Sequence, residues 1–140
     1  MGQSHLDPAG PAQQLVAEGF RAFVAITQQW QLSSDERLAL LGHISALDYA
    51  TFLRQAKAGQ NPRLNNQTLM RISLVLAIWK QLSQLFPDSE AMLEWLYTEN
   101  AGAIFGEFSP QQLLLSGDLA DLGAILHHLT TWHSGVATES

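Results

Sequence analysis

The feature that most limits the fold of this chain is a series of helix start signals, each followed by apolar residues at helical spacing. Ser33 with Glu36, and Ser109 with Gln112, form capping boxes that satisfy free N–H groups in a first helical turn. Further starts are indicated by Pro11, Ser45, Asn65 or Asn66, Asp88 and Asp118. No stretch shows the alternation of apolar and polar residues that a strand requires. The sequence therefore predicts an all-α fold of about seven helices.

The apolar spacing also predicts how individual helices are oriented. The first helix should bury one stripe and end near Gln31; the stripe is Val16, Phe20, Phe23, Thr27 and Trp30. In a helix from Ser45 to Ala58, we expect Leu47, Phe52 and Leu53 to point inward. A long helix should begin after Asn65 or Asn66 and run to Phe86-Pro87. Its length and apolarity suggest that the other helices pack against it.

Composition excludes several functional classes. Hydrophobic residues make up 46% of the 140, and charged residues only 14%, below the ~25% of an average protein. Apolar surface should therefore be covered by a partner or a second copy, which is compatible with a homodimer. A net charge of −6 argues against broad nucleic-acid binding, and the absence of cysteine excludes disulfides and zinc-thiolate sites. Without an apolar run of membrane-spanning length or a signal peptide, we expect a cytoplasmic location.

The second and third helices, joined by a tight turn at Gly42, have the lengths and spacing of a helix-turn-helix. The third helix would then read DNA with outward side chains. The tentative DNA-contacting set is Tyr49, Thr51, Arg54, Gln55, Lys57 and Arg63. The alternative interpretation is that these are solvent-facing residues of an ordinary helix, and the acidic Asp48 weakens the DNA-binding hypothesis.

Motifs for catalysis, metals and cofactors are missing. His127 and His128 lie ~100° apart around a helix, so they cannot both ligate one ion, and His133 is off the i,i+4 spacing of helical metal pairs. No nucleophile elbow, phosphate-binding loop or paired-carboxylate motif is present. We expect a protein that is not an enzyme and binds neither metal nor cofactor.

Two aromatic features near the C-terminus are candidate partner surfaces. Trp132 lies at the end of the last helix beside polar residues, where it either folds back on the body or anchors an interface. The loop from Tyr97 to Phe108 carries Ile104, Phe105 and Phe108 around glycines and is a plausible partner surface.

The ordered residues of the last third of the chain carry a family resemblance. They are Trp95-Leu96, Asn100, Gly106, Ser109-Pro110, the leucines from 113 to 115, Gly117-Asp118-Leu119, Leu129 and Trp132. This order resembles the toxin-binding domain of the Xre/MbcA/ParS antitoxins, partners of RES-domain toxins that consume NAD. The family usually has two adjacent glycines before the Ser/Thr-Pro step, whereas Phe105-Gly106-Glu107 has one.

The resemblance implies an organisation and a function. A flexible tail at 1–10 would precede an Xre-like helix-turn-helix region at 11–87, a toxin-binding domain at 88–134 and a flexible tail at 135–140. The protein would be a type II antitoxin that sterically occludes a cognate RES-domain toxin, with its tail over the toxin's active-site cleft, and that also represses its own operon through operator DNA. The toxin-binding residues carried over are Gly106, Ser109, Pro110, Leu113, Gly117, Asp118 and Trp132. The alternative is a stand-alone helix-turn-helix regulator whose C-terminal unit dimerises.

Overall fold

The structure is a computed structural model that describes residues 9–99 and 106–139, with side chains described for 16–99 and 106–133. Within these residues the chain forms seven helices and no strand, which confirms the predicted all-α class. The helices are α1 (Ala9–Gln29), α2 (Ser34–Leu40), α3 (Ala46–Lys57), α4 (Asn66–Leu85), α5 (Ser89–Tyr97), α6 (Pro110–Leu114) and α7 (Leu119–Glu139).

Side-chain caps begin most of these helices where the sequence predicts them. The hydroxyls of Ser33 and Ser109 accept hydrogen bonds from the third residue of α2 and α6, and Glu36 and Gln112 return the bond to complete both capping boxes. Single caps begin α3, α4 and α5 at Ser45, Asn65 and Asp88. Each cap contributes ~1 kcal/mol to helix stability. Because the bonded residues are three apart in the chain, the local sequence determines where these helices begin.

The long helix α4 is the centre of the fold, as its apolarity predicts. It packs against both α1 and α7, and its buried side chains recur every three or four residues: Thr68, Ile72, Val75, Ile78 and Leu82. Each fully buried aliphatic side chain contributes roughly 1.5–3 kcal/mol to folding. Trp79 is only half-buried, and its indole N–H donates to Gln29 Oε1 at 3.1 Å, which ties α4 to the end of α1.

Three boundaries or orientations differ from the sequence prediction. The first helix begins at Ala9, inside the predicted tail of residues 1–10, and ends at Gln29 with a positive φ of 63° at Gln31. Helix α7 continues to Glu139, so residues 135–139 are helical rather than a separate tail. Leu47, expected to point inward, is 77% exposed. It lies on the opposite side of α3 from the buried Ala56, because nine residues at ~100° each amount to a half-turn beyond whole turns.

The two predicted regions meet at a close joint between α2, α4 and the α6–α7 turn. Gly117 adopts a φ of 69°, and a Cβ at this position would lie 2.3 Å from the carbonyl oxygen of Ala39. Arg71 Nε of α4 donates to the Gly117 carbonyl at 2.6 Å, and its guanidinium passes so near Gly42 that a Cβ there would be 2.8 Å away. His43 Nε2 lies 3.3 Å from the Ser116 carbonyl oxygen. Described residues on both sides of the predicted boundary at 87/88 belong to one hydrophobic core, in which Met92, Leu114 and Leu129 are buried together with Phe20, Leu40 and Ile72.

Candidate functional site

Three of the residues carried over as toxin contacts are part of the interior. Ser109 is buried and caps α6, Pro110 is buried at the first position of that helix, and Gly117 is buried against Ala39. Ser109 and Pro110 offer little surface to a partner, and all three residues shape the α6–α7 corner. In the sequence, these residues therefore mark the helix cap and the turn that form this corner.

The other carried-over residues reach the surface to different degrees. Gly106 is exposed, has a φ of 58°, and has no neighbouring atoms within 4 Å of where a Cβ would stand. Asp118 is exposed, and its Oδ1 accepts from the backbone N–H of Ala120 at 2.8 Å. Leu113 is half-buried and packs on the core. Among the residues carried over at this corner, Gly106 and Asp118 are therefore the most exposed.

Trp132 lies in a small aromatic cluster in the second half of α7. Its ring centroid is 5.9 Å from that of Phe86 in a T-shaped arrangement and 6.5 Å from that of Trp95, while 38% of the residue stays exposed. The cluster of Phe86, Trp95 and Trp132 is called the aromatic platform below. His128, one turn earlier on α7, has its ring 6.3 Å from Trp132, and burial lowers the pKa of this histidine. Trp132 thus folds back on the body and also presents one face to solvent.

The predicted loop from Tyr97 to Phe108 has an exposed aromatic ring at each end: Tyr97 is the last residue of α5, and Phe108 lies just before α6. Phe108 is 55% exposed, and Tyr97 is 43% exposed although its hydroxyl donates to the Trp30 carbonyl at 2.7 Å. Burial and the nearby Glu36 carboxylate raise the pKa of Tyr97, so its hydroxyl stays protonated and the hydrogen bond is kept at neutral pH. Ile104 and Phe105, the other predicted contacts of this loop, lie outside the described residues.

The predicted DNA-contacting residues do not share one outward face of α3. Tyr49 is half-buried, with its ring 5.7 Å from that of Phe20, so it is not a fully outward-facing side chain. Gln55 is also half-buried, and its Oε1 is enclosed without a hydrogen-bond partner among the described residues. Thr51 is half-buried. The exposed members of the set are Arg54, Lys57 and Arg63.

The start of α3 offers little for reading bases. In a helix-turn-helix the N-terminal residues of the second helix contact base edges. Here those positions carry the exposed Leu47 and the exposed, acidic Asp48. A carboxylate at that point repels phosphates, and a leucine provides no hydrogen bond to a base. The exposed cations Arg54 and Lys57 lie at the other end of the helix and are suited to phosphates rather than bases.

Three basic residues that the sequence analysis did not single out lie at contacts between helices in the tertiary structure. Arg71 joins α4 to the α6–α7 turn through Gly117. Arg21 and Arg37 line a cleft between α1, α2 and α3. These residues are far apart in the chain and belong to no motif, so their convergence had no local signal.

An apolar groove runs between α1 and α4. It has a volume of about 600 Å³, and its lining is mostly apolar, with Glu18 and Ser73 as the polar members beside Val16, Gly19, Ala22, Leu69, Ile72 and Leu76. Met70, also exposed, lines an adjoining hollow on α4. The predicted homodimer would need such a surface, and it remains a prediction.

No group of three or more His, Asp or Glu side chains is positioned to hold a metal ion in the described part of the chain. No helix among residues 9–99 and 106–139 combines the length and apolarity needed to cross a membrane.

Comparison with known proteins gives one informative relative. The chain is 30% identical over 128 residues to the "Uncharacterized protein y4oB" of Sinorhizobium fredii (strain NBRC 101917 / NGR234). The alignment covers 91% of this chain and 93% of that protein, so the likeness extends over nearly the whole length of both. A search against family models found no match.

Proposed function

The chain belongs to the same protein family as y4oB of Sinorhizobium fredii, and we propose that it acts as an antitoxin that binds and occludes a RES-domain toxin. The proposal starts from the resemblance of residues 95–132 to the toxin-binding domain of Xre/MbcA/ParS antitoxins. The observation that carries it is the half-exposed Trp132 of the aromatic platform, in the second half of α7.

The geometry of Trp132 suits a binding anchor. Interface residues with the largest energetic effect are enriched in tryptophan, and they act best when neighbouring side chains already hold them in place. Phe86 and Trp95 hold the Trp132 ring from two sides, so little side-chain entropy is lost when a partner covers the exposed face. A ring buried entirely in the core would offer no such face.

The proposed mechanism is steric. Helix α7 continues from Trp132 to Glu139, so the chain beyond the anchor is a helical extension rather than the free tail predicted from sequence. With Trp132 seated on the toxin, this extension would occupy the space through which NAD reaches the toxin's active site. Exposed Asp118, at the start of the same helix, would contribute a polar contact at the rim.

The test is co-expression with a RES-domain toxin, followed by co-purification and a growth assay. We expect the complete chain to form a complex and restore growth. Trp132→Ala should weaken the complex by roughly 30-fold or more, the effect of losing an anchor worth ~2 kcal/mol. Leu47→Ala is the matched control, since it removes an even more exposed apolar side chain from α3. Equal affinity of a folded Trp132→Ala variant and the Leu47→Ala control would refute the role of the platform.

A second variant separates the anchor from the extension. Ending the chain after His133 keeps Trp132 and removes the last turns of α7. We expect this variant to bind the toxin but to inhibit it poorly, because the extension no longer fills the cleft. Full inhibition by the shortened chain would remove the extension from the mechanism while leaving the anchor in place.

The competing proposal is a stand-alone helix-turn-helix DNA-binding regulator whose C-terminal unit dimerises. Its supporting observation is the exposure of Arg54, Lys57 and Arg63 at one end of α3 and the loop behind it. Sequence-specific operator binding that is lost on Arg54→Ala would favour this regulator, either alone or as a second, autorepressing activity of the antitoxin. Binding that falls steeply with salt and does not depend on Arg54 would instead indicate general charge attraction.

A further inference from the structure

A cleft between α1, α2 and α3 gathers three of the seven basic residues in the chain. Arg21 comes from α1, Arg37 from α2 and Lys57 from α3, and the cleft has a volume of about 540 Å³. The hydroxyl-bearing Tyr49 and Ser34 line it as well, and no Asp or Glu is among its lining residues. In a chain with a net charge of −6, this concentration of uncompensated positive charge is unusual.

The two arginines are held in place by single hydrogen bonds. Arg21 Nη1 donates to the Ala56 carbonyl at the end of α3, at 2.5 Å, and Arg37 Nε donates to Thr27 Oγ1 at 3.1 Å. A guanidinium has five N–H donors, so these bonds orient the group and leave most of its donors unused. In the described part of the chain, neither arginine nor Lys57 forms an ion pair with a carboxylate.

Charges arranged in this way favour an anion. Cations in a concave site with low-dielectric walls repel one another and concentrate a positive potential inside it. An anion that enters relieves the repulsion and gains charge-assisted hydrogen bonds. Burial raises the pKa of Tyr49 despite the opposing effect of Arg37, so its hydroxyl stays protonated at neutral pH and can donate.

We propose that this cleft is a phosphate-binding site in which Arg21, Arg37 and Lys57 supply the charge and Tyr49 and Ser34 supply hydroxyl donors. Its volume falls within the ~300–1,000 Å³ of small-molecule sites, so a phosphate monoester fits as well as a bare anion. The same chemistry would hold a phosphodiester of duplex DNA lying along α3. Tyr49 and Lys57 were predicted from sequence as DNA contacts, and the cleft gives them a common role with two arginines outside that set.

This site goes beyond the proposed function, because it lies on α1–α3 and uses no residue of the aromatic platform or of α7. Failure of toxin binding would not affect it. Its failure would equally leave the toxin-binding proposal standing.

The first experiment measures binding of inorganic phosphate to the complete protein by calorimetry and by thermal unfolding. Ionic strength is held constant with chloride, so that only specific binding changes the midpoint. We expect phosphate to raise the midpoint. Lys57→Met should weaken phosphate about tenfold, the effect of losing one charge-assisted hydrogen bond worth ~1.4 kcal/mol. Lys80→Met is the control, because Lys80 is exposed on α4, outside the cleft.

A second variant guards against a change in fold. Tyr49→Phe removes only the hydroxyl and keeps the ring against Phe20, so it should fold normally and bind phosphate several-fold more weakly. Arg21 and Arg37 are poorer first choices because both also hydrogen-bond the protein.

A short mixed-sequence DNA duplex, titrated in the same way, distinguishes the source of the phosphate. Binding of phosphate that weakens in Lys57→Met and Tyr49→Phe assigns the cleft to a free phosphate ligand. If the duplex binds and phosphate does not, we expect both variants to bind the duplex more weakly and the affinity of Lys57→Met to depend less on salt concentration. That result assigns the cleft to the DNA backbone. If neither probe binds, or if both cleft variants bind as tightly as Lys80→Met, the proposal is wrong.

Discussion

Replacing Gly117 with alanine is the sharpest test of how the C-terminal corner is joined to the rest of the fold. The residue has a φ of 69°, and an added Cβ would lie 2.3 Å from the Ala39 carbonyl oxygen and 3.5 Å from Gly42 Cα. The substitution therefore imposes two separate penalties, one on the backbone conformation and one on the contact with α2.

The two penalties have known orders of magnitude. A non-glycine residue in the left-handed region costs ~1–2 kcal/mol. The contact with Ala39 involves backbone, which cannot swing away as a side chain does, and forced repacking of this kind costs about 1–3 kcal/mol. We expect Gly117→Ala to lower the free energy of unfolding by about 2–5 kcal/mol, out of the ~5–15 kcal/mol of a typical domain. The unfolding midpoint should fall by roughly 8–20 °C at ~4 °C per kcal/mol.

Two other glycines separate these effects in urea and thermal unfolding experiments. Gly59 has a φ of 78° but nothing within 4 Å of a Cβ, so Gly59→Ala should show the ~1–2 kcal/mol backbone penalty alone. Gly123, inside α7, has no close neighbour and no positive φ, so Gly123→Ala should stabilise by ~0.5–1 kcal/mol.

The free energies of unfolding of these variants test whether the contact between Gly117 and Ala39 constrains the corner. If Gly117→Ala costs no more than Gly59→Ala, the close approach to Ala39 does not constrain the corner. A toxin-binding loss in Gly117→Ala that exceeds its unfolded fraction would also contradict the reasoning, because it would mean that this buried glycine touches the partner directly.

Three further predictions follow from single contacts. Arg71→Met should destabilise by ~1–3 kcal/mol in urea unfolding, because the carbonyl of buried Gly117 loses its donor; an unchanged midpoint would contradict the joint. Leu47→Ala should change the free energy of unfolding by less than ~0.5 kcal/mol, because Leu47 is exposed. A loss of stability as large as that of a buried leucine would show that Leu47 points inward. Burial lowers the pKa of His128 in the folded protein, so the unfolded chain takes up this proton at a higher pH. The free energy of unfolding should therefore fall as the pH drops below the unfolded pKa of ~6.5 toward the lower folded pKa. His128→Gln should flatten this slope between those two values. A slope equal to that of the unsubstituted protein would contradict the assignment.

Helix starts and the long central helix were predictable from sequence because they depend on neighbours within four residues. The side chains of Ser33, Ser109 and Asn65 each accept a hydrogen bond from the backbone N–H three residues later in the chain. This spacing can be read directly from the sequence. The orientation of α3 was less accessible. Leu47 and Tyr49 are both large, and only contact with Phe20 on α1 decides which of them is covered.

The predicted toxin-contacting residues show the same limit. The order Ser109-Pro110…Gly117-Asp118 was recognisable as a pattern, but a pattern does not distinguish a residue that touches a partner from one that shapes the surface. Burial separates them: Ser109, Pro110 and Gly117 are interior, whereas Asp118 and Trp132 reach solvent. The basic cleft had no sequence signal, because Arg21, Arg37 and Lys57 come from three helices.

The amino-acid sequence alone determined that this protein is helical, where most helices begin, and that α4 lies at the centre, because hydrogen bonds within one turn and apolar spacing along one helix are local quantities. Only the tertiary structure decided which faces are covered, that Arg71 and Gly117 join the two predicted regions, and that three distant cations share a cleft. Those outcomes depend on packing between helices, where a residue's neighbours are set by the whole fold rather than by its position in the chain.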